Sequence, residues 1–288
     1  MSRKPAFTLI ELLVVIAIIA LLMAIIMPAL NTAKKIATGA VCVSNHRNLL
    51  AGWIMYADDS DGLLVNNRAC YDTPQDRTPW VHRPKDAAGN DLGYNPAPAH
   101  ITDYDRHRGI QAGTLWPYIK DVGVYHCPGD NRRSTRQPPR DCWRSYSISY
   151  GFGFMSTGSH GYRLYKKLAD VKSAAMYYVF VEEEHNGSRY GENEGGWHLR
   201  FSSGENNLLN PSSWTFYDPL ASYHNKSSTF GFADGHADRK TWKDKRTLAA
   251  IRENSDNPAS HSGMYLTSPG NEDLRWLIEH FIGKERLQ

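Results

Sequence analysis

Four sets of side chains in this 288-residue chain could do chemistry. The first is a lone carboxylate, Glu11, at the head of an apolar run: Leu12 to Leu30 are nineteen residues without one polar side chain. An ionisable group inside a bilayer costs about 2.5–3.5 kcal/mol, so Glu11 calls for a partner. The second is four cysteines, Cys42, Cys70, Cys127 and Cys142. No Cys-x-x-Cys occurs, which argues against zinc or thioredoxin-like chemistry; in an oxidising compartment four cysteines allow three disulfide connectivities. The third is acidic. Asp58, Asp59 and Asp61, beside Gly62, are a calcium candidate, because Ca²⁺ takes hard oxygen ligands. They lack the spaced bidentate Glu of an EF-hand, and a solvated helix-end turn is the preferred reading. Glu182, Glu183 and Glu184 are read in the same two ways. The fourth set is His224, Asp234 and His236. Asp234-Gly235 suits a two-residue type I′ turn, which gives Asp234 a structural task and lets His224 hydrogen-bond the turn. No Gly-x-Ser-x-Gly elbow occurs, so no catalytic residue is assigned and the chain reads as a non-enzyme. Apart from calcium, no cofactor is expected.

The elements that must position these groups follow from periodicity. Asn31 to Ala57 lacks proline. Ile36, Ala40, Val43, Leu50, Ile54 and Ala57 recur at helical spacing, with Cys42, Leu49, Trp53 and Tyr56 beside them. One helix is therefore predicted from about Phe7 to about Ala57, roughly 75 Å long. Residues 7–30 suffice to span a membrane; residues 31–62 continue as an amphipathic segment that ends in the Asp58–Gly62 turn. Pro28 removes a donor inside it, which predicts a kink or local melting. Gly39 and Gly52 are further weak points. Residues 63–288 form a globular body. In it, Leu63 to about His107 reads as irregular, and residues 113–130 as a short helix, a turn and a Cys-Pro loop. Residues 143–150 and 175–181 read as strands, 227–242 as a hairpin and 244–253 as a short helix. Asn271 caps a final helix with Leu274, Leu277, Ile278, Phe281 and Ile282 on one face. The fold class is α+β: a long N-terminal helix packed on a small antiparallel β-sheet domain with long loops. Without Arg3 and Lys4, 31 basic residues face 30 acidic ones, which leaves no electrostatic footprint for nucleic acid.

The apolar run is too long for the core of a secretory signal, and Pro28-Ala29-Leu30-Asn31-Thr32-Ala33 is a poor cleavage site. A plain anchor fits the length but leaves Glu11 unexplained. Lys4-Pro5-Ala6-Phe7-Thr8-Leu9-Ile10-Glu11 resembles the type IV prepilin signal. That resemblance implies a prepilin peptidase that cuts between Ala6 and Phe7, removing residues 1–6 as a leader, and N-methylation of Phe7. Ala6 departs from the glycine usual before the cut. Glu11 becomes the fifth mature residue, implied to pair with the Phe7 amine of a neighbouring subunit. "CVSNHRNLLAGWIMYADDSDG" (42–62), "YHCPGD" (125–130) and His224, followed after nine residues by Asp234-Gly235, resemble pilin-like proteins with a prepilin-type processing-associated His-x9-Asp-Gly domain. Cys42 and Cys127 fall in two of these motifs, so the resemblance pairs them and leaves Cys70 for Cys142.

What the resemblance implies is a pilin-like or pseudopilin subunit of a type II secretion or type IV pilus-like fibre, assembled through its helix with other pilin-like subunits. It would cross the bacterial inner membrane once, with a periplasmic body, and could pass into an extracellular fibre. The basic start argues for a cytoplasmic N-terminus; Lys34 and Lys35 oppose that signal. The alternative is membrane-anchored display of a carbohydrate- or cargo-binding domain, because eight Trp and sixteen Tyr are many. Its mark would be an exposed Trp/Tyr platform.

Overall fold

The computed structural model describes residues 8–67, 79–92, 101–132, 142–153, 164–184, 195–197, 199, 201, 206–218, 220–256 and 266–281. Helix α1 runs over Leu9–Asp59. It continues unbroken through Pro28, so the expected melting does not occur. The hydroxyl of Thr32 donates to the Pro28 carbonyl at 3.1 Å. From Leu9 to Ala37 every position is exposed. Among the described residues α1 is the one helix long and apolar enough to cross a membrane, by length and composition.

From Gly39 onward one side of α1 is buried: Gly39, Cys42, His46, Leu49, Leu50, Trp53 and Ala57. These recur at three- and four-residue steps, the spacing of one helical face. The face is rotated from the predicted one, for Ile36 and Ala40 are exposed and Val43 only half-buried. The stripe tolerates Gly39, Asn45 and His46 because the body brings atoms close to the first and polar partners to the others. Gly39 is thus a contact position rather than a weak point: a Cβ there would lie 3.2 Å from the His224 ring.

The face packs on a five-stranded sheet of order β3-β1-β2-β5-β6. The strands are β1 (Tyr146–Ser149), β2 (Tyr178–Glu182), β3 (Gly196–Trp197), β5 (Ser227–Phe232) and β6 (Ala237–Thr241). All neighbours are antiparallel except β1 and β3, which run parallel. A second, two-stranded sheet pairs β4 (Thr215–Phe216) with β7 (Leu266–Thr267). β2 and β5 are buried at every residue because both faces of the sheet are covered. One apolar cluster, with Leu49, Leu50, Trp53 and Phe180, lies on the α1 side. The other gathers Tyr178, Phe230, Trp242 and the apolar sides of α4 (Lys245–Asp256) and α5 (Glu272–Glu279). Asn271 caps α5 as its sequence position predicts, accepting from the N–H groups of Asp273 and Leu274. Leu274, Leu277, Ile278 and Phe281 are buried on it; Ile282 lies outside the described residues.

The stretch expected to be irregular holds α2 (Asp103–Gln111), started by a reciprocal capping box between Thr102 and Asp105. A short α3 (Trp116–Ile119) follows, then a 3₁₀ turn at Val122–Tyr125 that leads into the Cys-Pro loop.

Candidate functional site

The candidate residues gather at two places, the free end of α1 and a buried knot where α1 meets the body. At the free end Thr8 caps the helix: its hydroxyl accepts from the Glu11 N–H at 3.2 Å. In return Glu11 Oε2 accepts from the Thr8 N–H and hydroxyl, each at 2.8 Å. This capping box satisfies donors that a helix start otherwise leaves open. Glu11 therefore has partners on its own chain, a role signalled by the Thr-x-x-Glu spacing. Ala6 and Phe7 lie outside the described residues.

The knot is built from four elements. Cys42 comes from the middle of α1, Cys127 from the Cys-Pro loop, Glu182 from the end of β2 and His224 from the turn before β5. All four are fully buried, and their sulfur, nitrogen and oxygen ligand atoms lie within 4.8 Å of one another. The sulfurs of Cys42 and Cys127 stand 2.8 Å apart and unbonded. His224 Nε2 is 3.3 Å from the Cys127 sulfur and 2.9 Å from Glu182 Oε1. On the far side of the ring, Nδ1 is 3.3 Å from the Lys35 carbonyl and 3.2 Å from the Thr38 hydroxyl. A carbonyl can only accept, so Nδ1 carries a proton and donates. The Gly129 N–H donates to the Cys127 sulfur at 3.3 Å, and the Thr229 N–H to Glu182 Oε2 at 3.2 Å.

The electrostatics of the knot follow from burial and mutual contact. Burial works against a charged His224, yet the hydrogen bonds to Cys42 and Glu182 outweigh it and raise the imidazole to about 10. Burial and the neighbouring Cys42 push the Cys127 thiol well up. For Cys42 burial raises the thiol, but hydrogen bonds with Cys127 and His224 bring it below its ordinary value. One helical turn along, His46 is buried among Tyr146 and Thr229, and burial drives it down to about 3. Beside the knot, Asp130 and Arg132 form a fully buried ion pair that fixes the Cys-Pro loop; Ser145 donates to the same carboxylate at 2.7 Å. Two thiols, an imidazole and a carboxylate in a dry pocket are a donor set for a soft or borderline divalent metal.

His224 is at the opposite end of β5 from Asp234, so it does not hold the turn as expected. The nine intervening residues are β5 and its flanks. The turn itself is not type I′. Asp234 keeps a negative φ and only Gly235 is positive, at +95°. The Phe232 N–H donates to the His236 carbonyl and the Gly235 N–H to the Phe232 carbonyl. This is a three-residue loop closed by a left-handed glycine, the other hairpin that Asp-Gly suits. Asp234 pairs with His236 at 2.6 Å on the surface. Asp58, Asp59 and Asp61 are exposed at the end of α1, and the Tyr118 hydroxyl donates to Asp59 at 2.9 Å. Among the described residues the potential ligands that converge are those of the knot. Cys142 is buried; Cys70 lies outside the described residues.

Residues 1–27 match the family described as "Prokaryotic N-terminal methylation motif". The chain is also similar to the type IV wide pilus major component PilA4 of Thermus thermophilus, 30% identical over 143 residues, which are 49% of this chain and 99% of that protein. The chain belongs to the type IV pilin-like proteins. No solved structure matches it. As a type IV pilin-like protein it has the expected long apolar helix on an α+β body. The relative accounts for half of its length; the rest is what this pilin-like chain adds.

Proposed function

We propose that this chain is a polymerising subunit of a type IV pilus-like fibre. The observation that carries the proposal is the bare first half of α1. Twenty-nine consecutive helical residues, Leu9 to Ala37, are exposed, and nineteen of them, Leu12 to Leu30, are without a polar side chain. Apolar surface of that extent needs lipid or other helices around it. The prepilin motif and the pilus subunit among its relatives support both in turn. In this account a prepilin peptidase removes residues 1–6, Phe7 becomes the methylated N-terminus, and the helix crosses the inner membrane with the body on the periplasmic side. Glu11 then pairs with the Phe7 amine of the next subunit as helices bundle in the fibre core. Residues 63–288, with the His-x9-Asp-Gly segment, decorate the outside.

The display alternative finds no support in the tryptophans, although Tyr104 is exposed. Trp53, Trp80, Trp197, Trp214 and Trp242 are buried in the two cores, and Trp116, Trp143 and Trp276 are half-buried. None offers a platform for stacking a sugar. The test of the fibre proposal is to shear surface fibres from cells and sequence their subunits by mass spectrometry. The chain should be present with an N-methylated Phe7 start. Its absence from fibres, with an intact Met1 start in membranes, would overturn the proposal.

A further inference from the structure

We propose that Cys42, Cys127, Glu182 and His224 are the four ligands of a structural zinc ion that fastens α1 to the body. Thiolate, imidazole and carboxylate are zinc's protein ligands, and a closed shell of four protein groups is the mark of a structural site. The absence of a Cys-x-x-Cys is no obstacle, because each ligand comes from a different element. Three features of the pocket point to ligation. First, all four ligand atoms face one another: each residue is fully buried, and the ligand atoms span at most 4.8 Å. A tetrahedral shell with Zn–S bonds of about 2.3 Å sets its sulfurs roughly 3.8 Å apart. The present 2.8 Å separation opens to that by small side-chain rotations.

Second, His224 is oriented as a ligand is. Its Nδ1–H is spent on the Lys35 carbonyl and the Thr38 hydroxyl, which turns Nε2 toward the sulfurs and Glu182. Metal-bound histidines are held by such a second hydrogen bond on the other nitrogen. Third, the acceptors are supported from behind, Cys127 by the Gly129 N–H and Glu182 by the Thr229 N–H. A Cys42–Cys127 disulfide would use only the two sulfurs and leave Glu182 and His224, 2.9 Å apart, as a buried ion pair beside it. Thiolate ligation selects zinc over calcium or magnesium, which take oxygen. The ion displaces the thiol protons and the Nε2 proton to solvent, so no oxidant or reductant is needed. A cleft lined by Lys34, Lys35, Thr38, Gly129 and Tyr223 adjoins the His224 side and offers a way in.

The site would lie where the polymerising half of α1 ends and the buried half begins. A metal there fixes the angle between helix and body without lengthening the core.

The experiment uses the full chain, extracted from membranes into detergent with thiols alkylated at lysis. Wild type should carry one equivalent of zinc. Cys42 and Cys127 should resist alkylation until a chelator is added. Replacing zinc with Co(II) should give the intense visible bands of a tetrahedral site and a sulfur-to-cobalt charge-transfer band. Glu182→Gln keeps the shape of the side chain and should bind Co(II) at least tenfold more weakly; His224→Ala should do the same. Three results would overturn the proposal. One is peptide mapping of the native chain as a Cys42–Cys127 disulfide without metal. Another is a reduced, folded chain that gives no cobalt spectrum. The third is undiminished Co(II) binding by Glu182→Gln. The wild-type spectra decide the matter even if either variant fails to fold.

Discussion

The two halves of α1 are one helix with opposite surroundings. Leu9 to Ala37 is exposed throughout and meets the body only near its end, where the Lys35 carbonyl faces His224; Gly39 to Ala57 is the spine on which the sheet is laid. Both carry Leu and Ala, but Ile falls from seven residues in Leu9–Ala37 to one in Gly39–Ala57. The difference lies in what interrupts the apolar residues. The first half has no polar residue between Glu11 and Asn31, so it presents the same surface all round and suits lipid or a bundle of like helices. The second half alternates apolar with polar positions at helical spacing and therefore has one face to bury. The hinge between these regimes, Thr38 to Cys42, is where His224 and the Cys-Pro loop close on the helix.

That contrast can be broken by paired truncations. Trp53 is fully buried, edge-on to Phe152 with ring centroids 5.7 Å apart. Trp53→Ala should cost the body about 3–5 kcal/mol, read from denaturant unfolding of the full chain in detergent. Ile16→Ala, in the exposed half, should shift the same transition by less than about 0.5 kcal/mol. Comparable losses from both variants would erase the distinction between the halves.

A smaller effect belongs to the hairpin that carries β5 along the buried half. Gly235 holds φ at +95°, a conformation that a β-branched residue adopts only with strain. Gly235→Val should destabilise the body by about 1–3 kcal/mol, whereas Asp234→Asn, whose φ is ordinary, should change little. Equal melting of Gly235→Val and wild type would disprove the left-handed glycine.

The smallest near neutrality is a pH effect confined to the buried half. His46 sits near 3 when folded because burial disfavours its charge, and near 6.5 when unfolded. Below pH 6.5 the unfolded chain takes up a proton that the folded chain refuses, so stability falls as pH drops from 6.5 toward 3. At pH 6 the loss is about 1 kcal/mol by linkage, and it grows toward lower pH. His46→Gln should flatten this part of the stability profile. An unchanged slope in the variant would show that His46 titrates normally.

How much of this was legible depends on how local each signal is. α1 and α5 could be read directly, because a long apolar period and the Asn271 cap are contained in one stretch of chain. The α2 helix was not, since Asp-Tyr-Asp-Arg-His-Arg-Gly-Ile-Gln has only scattered apolar residues and its evidence is the Thr102-x-x-Asp105 cap. The same spacing at Thr8 and Glu11 hid in plain view behind the question of the acid's partner on another chain. Asp234-Gly235 announced a hairpin but not which of two turns. The knot was least legible. Its contacts join residues 85, 97 and 42 positions apart, so no spacing rule could assemble them, although Cys42, Cys127 and His224 each stood in a motif already singled out.

The central claim, that the bare half of α1 exists to polymerise, turns on the charge of Glu11. Glu11→Ala removes both the capping box and the charge, whereas Glu11→Gln keeps a side chain that can complete the box and removes only the charge. The measurement is the yield of sheared fibre from cells expressing each variant, with membrane insertion and cleavage before Phe7 monitored in the same samples. Insertion and cleavage should match wild type in both variants, and fibre should be lost in both, because the neighbouring Phe7 amine has lost its counter-charge. Normal fibre from Glu11→Gln would contradict the account and leave Glu11 as a helix cap alone.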